Sequence, residues 1–407
     1  VIHIGLIDRN ILPFLSTCIG LLVCFLFIVV KKAMNSTPLA YFRGYKDHRM
    51  ERKQVHKMET IIAITLAAII SGAESWYDIA EFGKMKKEWL VQFLDLSGGI
   101  PSHDTFTRFF AMADSSALES CFREWVSSIA STINDRVINI DGKCLRGSRE
   151  DEQDSFIHMV SAWCNSSNLV LGQQKVYEKS NEITAIPKLL DVLFIEGAVI
   201  TIDAMGTQKE IAKKIIAGKG DYVLAVKGNQ GFLEDDIKEA FKEAKVDDEY
   251  ESKVELSHGR IEHRTTKVIH DLDWVCSRKE WKQLFCIIMV LSKRVDKKTG
   301  KEELAERYYI SSKKASAEQF NGYIRSHWGI ENKLHWTLDV AFREDQSKKR
   351  AGEAAQNFSL MTKVALNLIK NHHPGEKDSG GTRISARRKR NMAAWNNDYL
   401  LQIMAEA

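Results

Sequence analysis

The sequence contains no Cys-x-x-Cys pair. Its seven cysteines are scattered and odd in number, which leaves no basis for a zinc ribbon or a disulfide framework and favours reduced thiols in a cytosolic protein. Charge of one sign is not in excess either. The net +4 over 407 residues is only mildly basic, so any case for a nucleic-acid partner has to come from local clusters. Long apolar runs are absent after residue 34, but one precedes it. Ile11 to Val30 is almost uninterrupted and is followed by Lys31 and Lys32, a stretch of about 20 residues with the length of a membrane span. Read alone, it is a signal anchor. The alternative is an upstream extension, because the chain starts at Val1 while Met34 opens the polar Met34-Asn35-Ser36-Thr37-Pro38-Leu39. Residues 1–33 are therefore set aside before fold reasoning, and no membrane partner is expected of the rest.

What is present suits a soluble enzyme. Apolar residues make up 44% and charged residues 28%, and the length allows a large core and two domains, with a third possible. After a basic stretch from Lys46 to Lys57, Thr60 to Gly72 has the small and apolar residues of a buried helix. Ser102-His103-Asp104-Thr105 resembles a capped helix start, and Ala117 to Ile133 repeats apolar residues at three- and four-residue intervals. Residues 34–133 are thus a helical N-terminal domain. It has neither a glycine loop nor a cluster of charged pairs, which makes it a binding or packing module.

From Arg136 the pattern changes to strands. Val137 to Asp141, Phe156 to Trp163 and Asn168 to Val176 are short β-prone runs that predict a meander. Helical periodicity at Ile183 to Leu193, a buried strand at Ala198 to Asp203, a helix at Thr207 to Ala217 and a strand at Tyr222 to Val226 follow. This order predicts an α/β fold, a mixed sheet with helices on both faces, in the ribonuclease H-like arrangement. A β-rich insertion at about 249–313 precedes a last long helix, which starts at the capping box Ser316-Ala317-Glu318-Gln319. The catalytic domain is bounded at 134–370. Residues 371–407, with the basic run Arg383 to Arg390, are read as a flexible tail that attracts DNA backbone non-specifically.

Two apolar, β-branched runs end at aspartates, Val137-Ile138-Asn139-Ile140-Asp141 and Val199-Ile200-Thr201-Ile202-Asp203. A buried strand that stops at a carboxylate projects the charge from the edge of the core. A third acid, Glu331, lies downstream in His327-Trp328-Gly329-Ile330-Glu331-Asn332. Three converging carboxylates can hold hard divalent cations such as Mg²⁺ or Mn²⁺, the arrangement of metal-assisted phosphoryl transfer. Asp339, eight residues beyond Glu331, competes for the third place, with Glu344 close behind.

Four separated segments carry a resemblance. Asp141-Gly142-Lys143-Cys144-Leu145-Arg146-Gly147-Ser148, Ile202-Asp203-Ala204-Met205-Gly206-Thr207-Gln208, Val226-Lys227-Gly228-Asn229-Gln230 and His327-Trp328-Gly329-Ile330-Glu331-Asn332, in this order, resemble the DDE transposases of the H-repeat-associated (Rhs-element) insertion-sequence family. The likeness runs from about Met34 to the C-terminal Trp395-Asn396-Asn397-Asp398. It implies Asp141, Asp203 and Glu331 as the catalytic and metal-binding triad, with two Mg²⁺ ions that Mn²⁺ can replace. It also implies DNA as partner, both terminal inverted repeats and target, bound by a homodimer on the nucleoid in the cytoplasm. Related transposases often carry Tyr, Arg and Lys seven before, four before and seven after the glutamate. Here those positions are Ile324, His327 and Leu338.

Phosphate contacts are expected from Lys227, at the end of an apolar strand, and from Lys143 and Arg146, just after the first aspartate. Arg260, within His258-Gly259-Arg260-Ile261-Glu262-His263-Arg264, would bind DNA from the insertion. Arg325, His327 or Lys333 would stand in for the altered signature positions. Trp328 and Trp336, eight residues apart beside Ile330, Leu334 and Leu338, are expected in the core.

Overall fold

Apolar residues on every side of a helix bury it completely, and Met58–Ile70 is such a helix, with Ile61, Ile62, Ile64, Leu66 and Ile70 fully enclosed. The computed structural model of the protein describes residues 37–130, 136–148, 156–176, 182–257, 259–373 and 375–405. The run Ile11 to Val30 and His258 lie outside them. Two units result, one reaching Trp125 and resuming at Ala351, the other spanning Val126–Arg350. The first holds α1 (Pro38–Phe42), α2 (Met58–Ile70), α3 (Trp76–Met85), α4 (Lys87–Leu90), α5 (His103–Met112) and the start of α6 (Ser115–Ala130). Caps set the boundaries. Ser75 and Asp78 form a capping box at α3, and Ser102 accepts from Thr105 N at α5.

The second unit is built on one mixed sheet. Strands β1 (Val137–Leu145), β2 (Ile157–Cys164) and β3 (Leu169–Val176) form the antiparallel meander. After α7 (Glu182–Val192), β4 (Val199–Ile202) pairs parallel with β1. After α8 (Lys209–Ala217), β5 (Asp221–Val226) pairs parallel with β4. Helix α9 (Gly231–Glu243) leads to β6 (Asp248–Glu251), β7 (Glu255–Ser257), β8 (Arg260–Ile269), β9 (Cys286–Asp296) and β10 (Glu302–Ser311).

The strand order is β3-β2-β1-β4-β5-β10-β9-β8-β6, with β7 on β8. The first five have the ribonuclease H-like order. The β-rich insertion does not stand apart from them: β10 pairs antiparallel with β5 and extends the same sheet. Without it, the apolar β5 would expose an unpaired edge.

Helices cover both faces. Gly206 lies so close to Ile202 and to Ile186 of α7 that a Cβ there would collide with both, which places α7 on the Ile202 face. Helix α10 (Ala317–Gly329) packs on the opposite face, starting at the capping box of Ser316 and Gln319. A π-helical segment, Ile330–His335, continues it into α11 (Trp336–Phe342).

The chain then returns to the helical unit. Helix α12 (Ala354–Asn371) packs against α2 and α5, so its apolar stripe serves that unit and not the sheet. The last stretch differs from the flexible tail expected from sequence. Residues Ala386–Trp395 (α13) and Asn397–Ala405 (α14) are helical, and Arg390 is buried, donating from Nε and Nη2 to the Ile69 carbonyl at 3.1 and 2.9 Å. The Ile69 carbonyl, in the last turn of α2, also accepts from the Gly72 N–H at 3.2 Å, and the buried guanidinium adds a second, charged donor to it. Among the described residues no helix is long and apolar enough to cross a membrane.

Candidate active site

The parallel pairing of β1 with β4 ends at Ile140 and Ile202, so Asp141 and Asp203 are the next residues on two neighbouring strands in the same register. Asp141 is not at the end of its strand, because β1 continues to Leu145 along β2. It stands where β4 stops beside it. Two residues earlier, on the same face by strand alternation, Asn139 Nδ2 donates to Thr201 Oγ1 at 2.6 Å. Helix α10 covers this face, with Ser326 Oγ 3.4 Å from Asn139 Nδ2 and His327 Nδ1 2.9 Å from Thr201 Oγ1.

This anchored helix delivers Glu331 from the π-helical segment. Ile330, Leu334 and Leu338 are fully buried while Glu331 stays open to solvent. Single π turns are common at functional sites, where they re-aim a side chain while the flanking helix keeps its packing. Trp328 and Trp336 are not core residues, being 37% and 60% exposed. The aliphatic residues take the buried side and leave both rings outside.

Asp141, Asp203 and Glu331 line one cavity of about 250 Å³, together with Lys227, His327 and Arg307. The carboxylates press on one another. Burial, then the charges of Asp203, Glu331 and Glu182, push the Asp141 carboxyl up to about 7, against the pull of the Gly142 N–H. Partial desolvation at the cavity and the charge of Asp203 raise Glu331, with Arg307 opposing. Burial lowers the basicity of His327, with Asp203 opposing, so the imidazole is neutral at neutral pH. His335 Nδ1 stands 3.7 Å from Asp141 Oδ2.

Glu182, the buried first residue of α7, had no signal in the sequence. Its carboxylate lies against Gly142, where any Cβ would overlap it. Arg307 and Tyr309 of β10 also reach the cavity. Neither belongs to a motif, and only the pairing of β10 with β5 brings them there.

The cations expected at phosphates have different surroundings. Lys143 is buried, its ammonium 2.8 Å from Asp339 Oδ1, 2.7 Å from Asp345 Oδ1 and 3.3 Å from Glu344 Oε2. It is enclosed by carboxylates and not presented at the surface. Arg146 is exposed, with Nε 3.4 Å from Asp345 Oδ2. Arg325 is paired with Glu255, and Lys333 Nζ donates to Asn165 Oδ1 at 2.9 Å. Arg260 is exposed at the start of β8, opposite Asp296 of β9. Lys227 is exposed on the cavity wall. The motif residues after it hold the turn that follows Asp203: Asn229 Nδ2 donates to Ala204 O at 2.5 Å and Gln230 Nε2 to Thr207 O at 3.0 Å.

The carboxylate oxygens of Asp141, Asp203 and Glu331 at this cavity are the kind of donor that suits Mg²⁺ and Mn²⁺, and His327 adds an imidazole nitrogen to the lining. In kind, the residues fit a divalent ion. Among the described residues no three His, Cys, Asp or Glu side chains are drawn together as a ready coordination shell.

A sheet in this order, with in-register carboxylates on two central strands and a third from the helix above, defines a ribonuclease H-like α/β protein with an acidic cavity. Comparison with known proteins is more specific. The family model described as "Transposase DDE domain" matches residues 133–368, and "DDE_Tnp_1-associated" matches 39–126. The chain is 42% identical over 374 residues to "Putative transposase YncI" of Escherichia coli O157:H7, covering 90% of this chain and 94% of that protein. It is 40% identical over 366 residues to "H repeat-associated putative transposase YhhI" of Escherichia coli K12, covering 88% and 95%. The chain belongs to the DDE transposase family, among its H-repeat-associated members.

Proposed function

We propose that the protein is an insertion-sequence DNA transposase that binds the terminal inverted repeats of its element as a homodimer, cuts their phosphodiesters and joins the freed 3′ ends to target DNA on the nucleoid. The observation that carries this reading is the shared register of Asp141 and Asp203 on a cavity that Glu331 also lines. In the first reaction the oxygen of water bonds to phosphorus, the P–O3′ bond breaks, and the leaving 3′-oxygen takes up a proton. In the second, that 3′-hydroxyl gives up its proton as its oxygen attacks a target phosphorus and displaces the target's own 3′-oxygen.

Asp141, Asp203 and Glu331 would hold two Mg²⁺ ions, which Mn²⁺ can replace. When bound, the ions supply activation of the attacking oxygen and charge stabilisation at the leaving one. The network of Asn139, Thr201 and His327 keeps α10, and with it Glu331, aligned over the two strands. Lys227, on the cavity wall, adds positive charge for a phosphate backbone. Because Asp141 takes up a proton readily when alone, the site is an acceptor of protons as well as of cations.

The test uses a plasmid carrying this reading frame with its flanking DNA. With Mg²⁺, the wild-type protein should release 3′-hydroxyl ends and join them to a second plasmid, and Asp141→Asn and Asp203→Asn should do neither. Retained Mg²⁺-dependent cleavage in either variant would sink the assignment. Cleavage without joining, with pre-cut ends supplied, would mark a nuclease of the same fold.

A further inference from the structure

The cavity holds three carboxylates, and the helix above it brings little positive charge. Ile324 and Leu338 of that helix face the core, and His327 is half-buried with its basicity lowered. Lys143, Arg325 and Lys333 are engaged elsewhere. Arg307 differs from all of these. It lies on β10, opposite Val290 of β9 and two residues before Tyr309, on the face that looks into the cavity. Its guanidinium carbon lies 5.0 Å from the centroid of the Trp328 ring, and the guanidinium makes neither a hydrogen bond nor an ion pair with any described residue.

An arginine beside three carboxylates that pairs with none of them calls for a physical reason. The ring of Trp328 attracts the cation over its face and holds the guanidinium plane in place, which leaves the N–H edges available. Those edges form a fixed fork matched to two oxygens of a phosphate or carboxylate. Arg307 is paired with Val290 of β9, and from the next residue, Tyr308, β10 is paired with β5 as well, so the group is mounted on sheet backbone. Arg307 lines the same cavity as Asp141, Asp203 and Glu331, which puts the fork where a phosphate held by those carboxylates would lie.

We propose that Arg307 is a phosphate-binding residue of this active site, its guanidinium engaging the non-bridging oxygens of the DNA phosphodiester held opposite Asp141, Asp203 and Glu331. This rests on the reading of the cavity as the site of phosphoryl transfer. Trp328 is the positioning residue that aims the fork. Lysine cannot replace the arginine fully, because a point charge lacks the bidentate geometry.

The test separates binding from chemistry. A fluorescein-labelled twelve-nucleotide oligothymidylate is titrated in Ca²⁺ at several salt concentrations, and cleavage of the plasmid bearing the flanking DNA is followed in Mg²⁺. Arg307→Ala should bind the oligonucleotide about tenfold more weakly, with a salt slope smaller by roughly 0.7, one phosphate contact on a single strand. Arg307→Lys should keep the slope yet cleave at least about tenfold more slowly, for want of the fork. If Arg307→Ala fails to fold, Arg307→Gln, which keeps most of the bulk over Trp328, gives the same reading. Unchanged affinity and salt slope in the folded neutral variant would overturn the proposal, as would weaker binding with an unchanged slope. A wild-type protein that binds the oligonucleotide through Arg307 but cuts no DNA would leave this inference standing and remove the transposase reading.

Discussion

Lys143 and Asp339 form an ion pair, Nζ to Oδ1 at 2.8 Å, with the ammonium buried and Asp345 and Glu344 completing its surroundings. The pair bears on the choice between Glu331 and its runner-up, Asp339. Asp339 is occupied by a cation on β1, whereas Glu331 lines the cavity of Asp141 and Asp203. The cluster also fastens α11 and the turn after it to the strand that bears Asp141. Replacing Lys143 with Met would leave three carboxylates facing one another, Glu344 nearly fully enclosed, and should lower stability by about 3 kcal/mol in urea denaturation. Glu331→Gln should abolish cleavage at nearly unchanged stability. Asp339→Asn should keep cleavage within about tenfold while weakening the Lys143 cluster by about 1 kcal/mol. Loss of cleavage in Asp339→Asn alone would reverse the assignment.

The proton affinity of Asp141 gives a dependence on pH. Its carboxyl ordinarily titrates at 3.8 and is pushed up to about 7 in the folded protein by burial and then by Asp203. The folded state therefore holds that proton more tightly than the unfolded chain does. Stability from this source is complete below the ordinary value, falls as pH rises from about 4 to about 7, and is level above that range. In EDTA, thermal unfolding should show this decline in the wild-type protein and a flatter profile in Asp141→Asn. Added Mg²⁺ should raise the wild-type Tm above pH 7 and leave that of Asp141→Asn almost unchanged. A variant whose pH profile matches the wild type would remove Asp141 as the titrating group.

Gly142 is required by contact, not by backbone conformation. It sits in β1 opposite Val160, and a Cβ would fall on the carboxylate of Glu182. Gly142→Ala must move Glu182, a buried acid beside Asp141, or bend β1. The expected cost is about 1–3 kcal/mol, with cleavage reduced at least tenfold because Asp141 moves with its strand. Gly142→Ala combined with Glu182→Ala should recover much of the lost stability in denaturant titrations. Absence of any recovery would show that the clash lies elsewhere.

How much of this was legible depends on where each signal lives in the chain. The β-branched runs of β1, β4 and β5 and the capping box at Ser316 carry their structure locally, so the order of elements and the two aspartates followed from spacing. Glu331 followed from its motif. What was hidden depends on pairing between distant segments. Nothing in Glu302 to Ser311 shows that β10 docks on β5, and so nothing shows that Arg307 enters the cavity. Lys143 has the spacing of a strand-end phosphate ligand, and only the return of Asp339, Glu344 and Asp345 from about two hundred residues away encloses it. Trp328 and Trp336 have the spacing of core residues in a regular helix, whereas a π segment intervenes at Ile330–His335 and both rings stay exposed.

The same limit produced the flexible tail. A basic run after a glycine-rich stretch has the composition of a solvated segment, yet Arg390 is buried and its guanidinium donates twice to the Ile69 carbonyl at the end of α2. Burial draws its affinity for protons down to about 10, still well charged at neutral pH, so the interaction is a charge-assisted bond in a dry setting. Arg390→Met would fill most of the space but leave the Ile69 carbonyl without that partner, and should cost about 2 kcal/mol in thermal or urea unfolding of the full chain. Deleting residues beyond Asn371 would also remove the buried Ala393, Leu400 and Ile403. At about 1.5–3 kcal/mol for each large aliphatic side chain, that loss should leave the helical unit largely unfolded by circular dichroism and limited proteolysis. A truncated chain that unfolds like the full one would show that α13 and α14 add nothing to the unit.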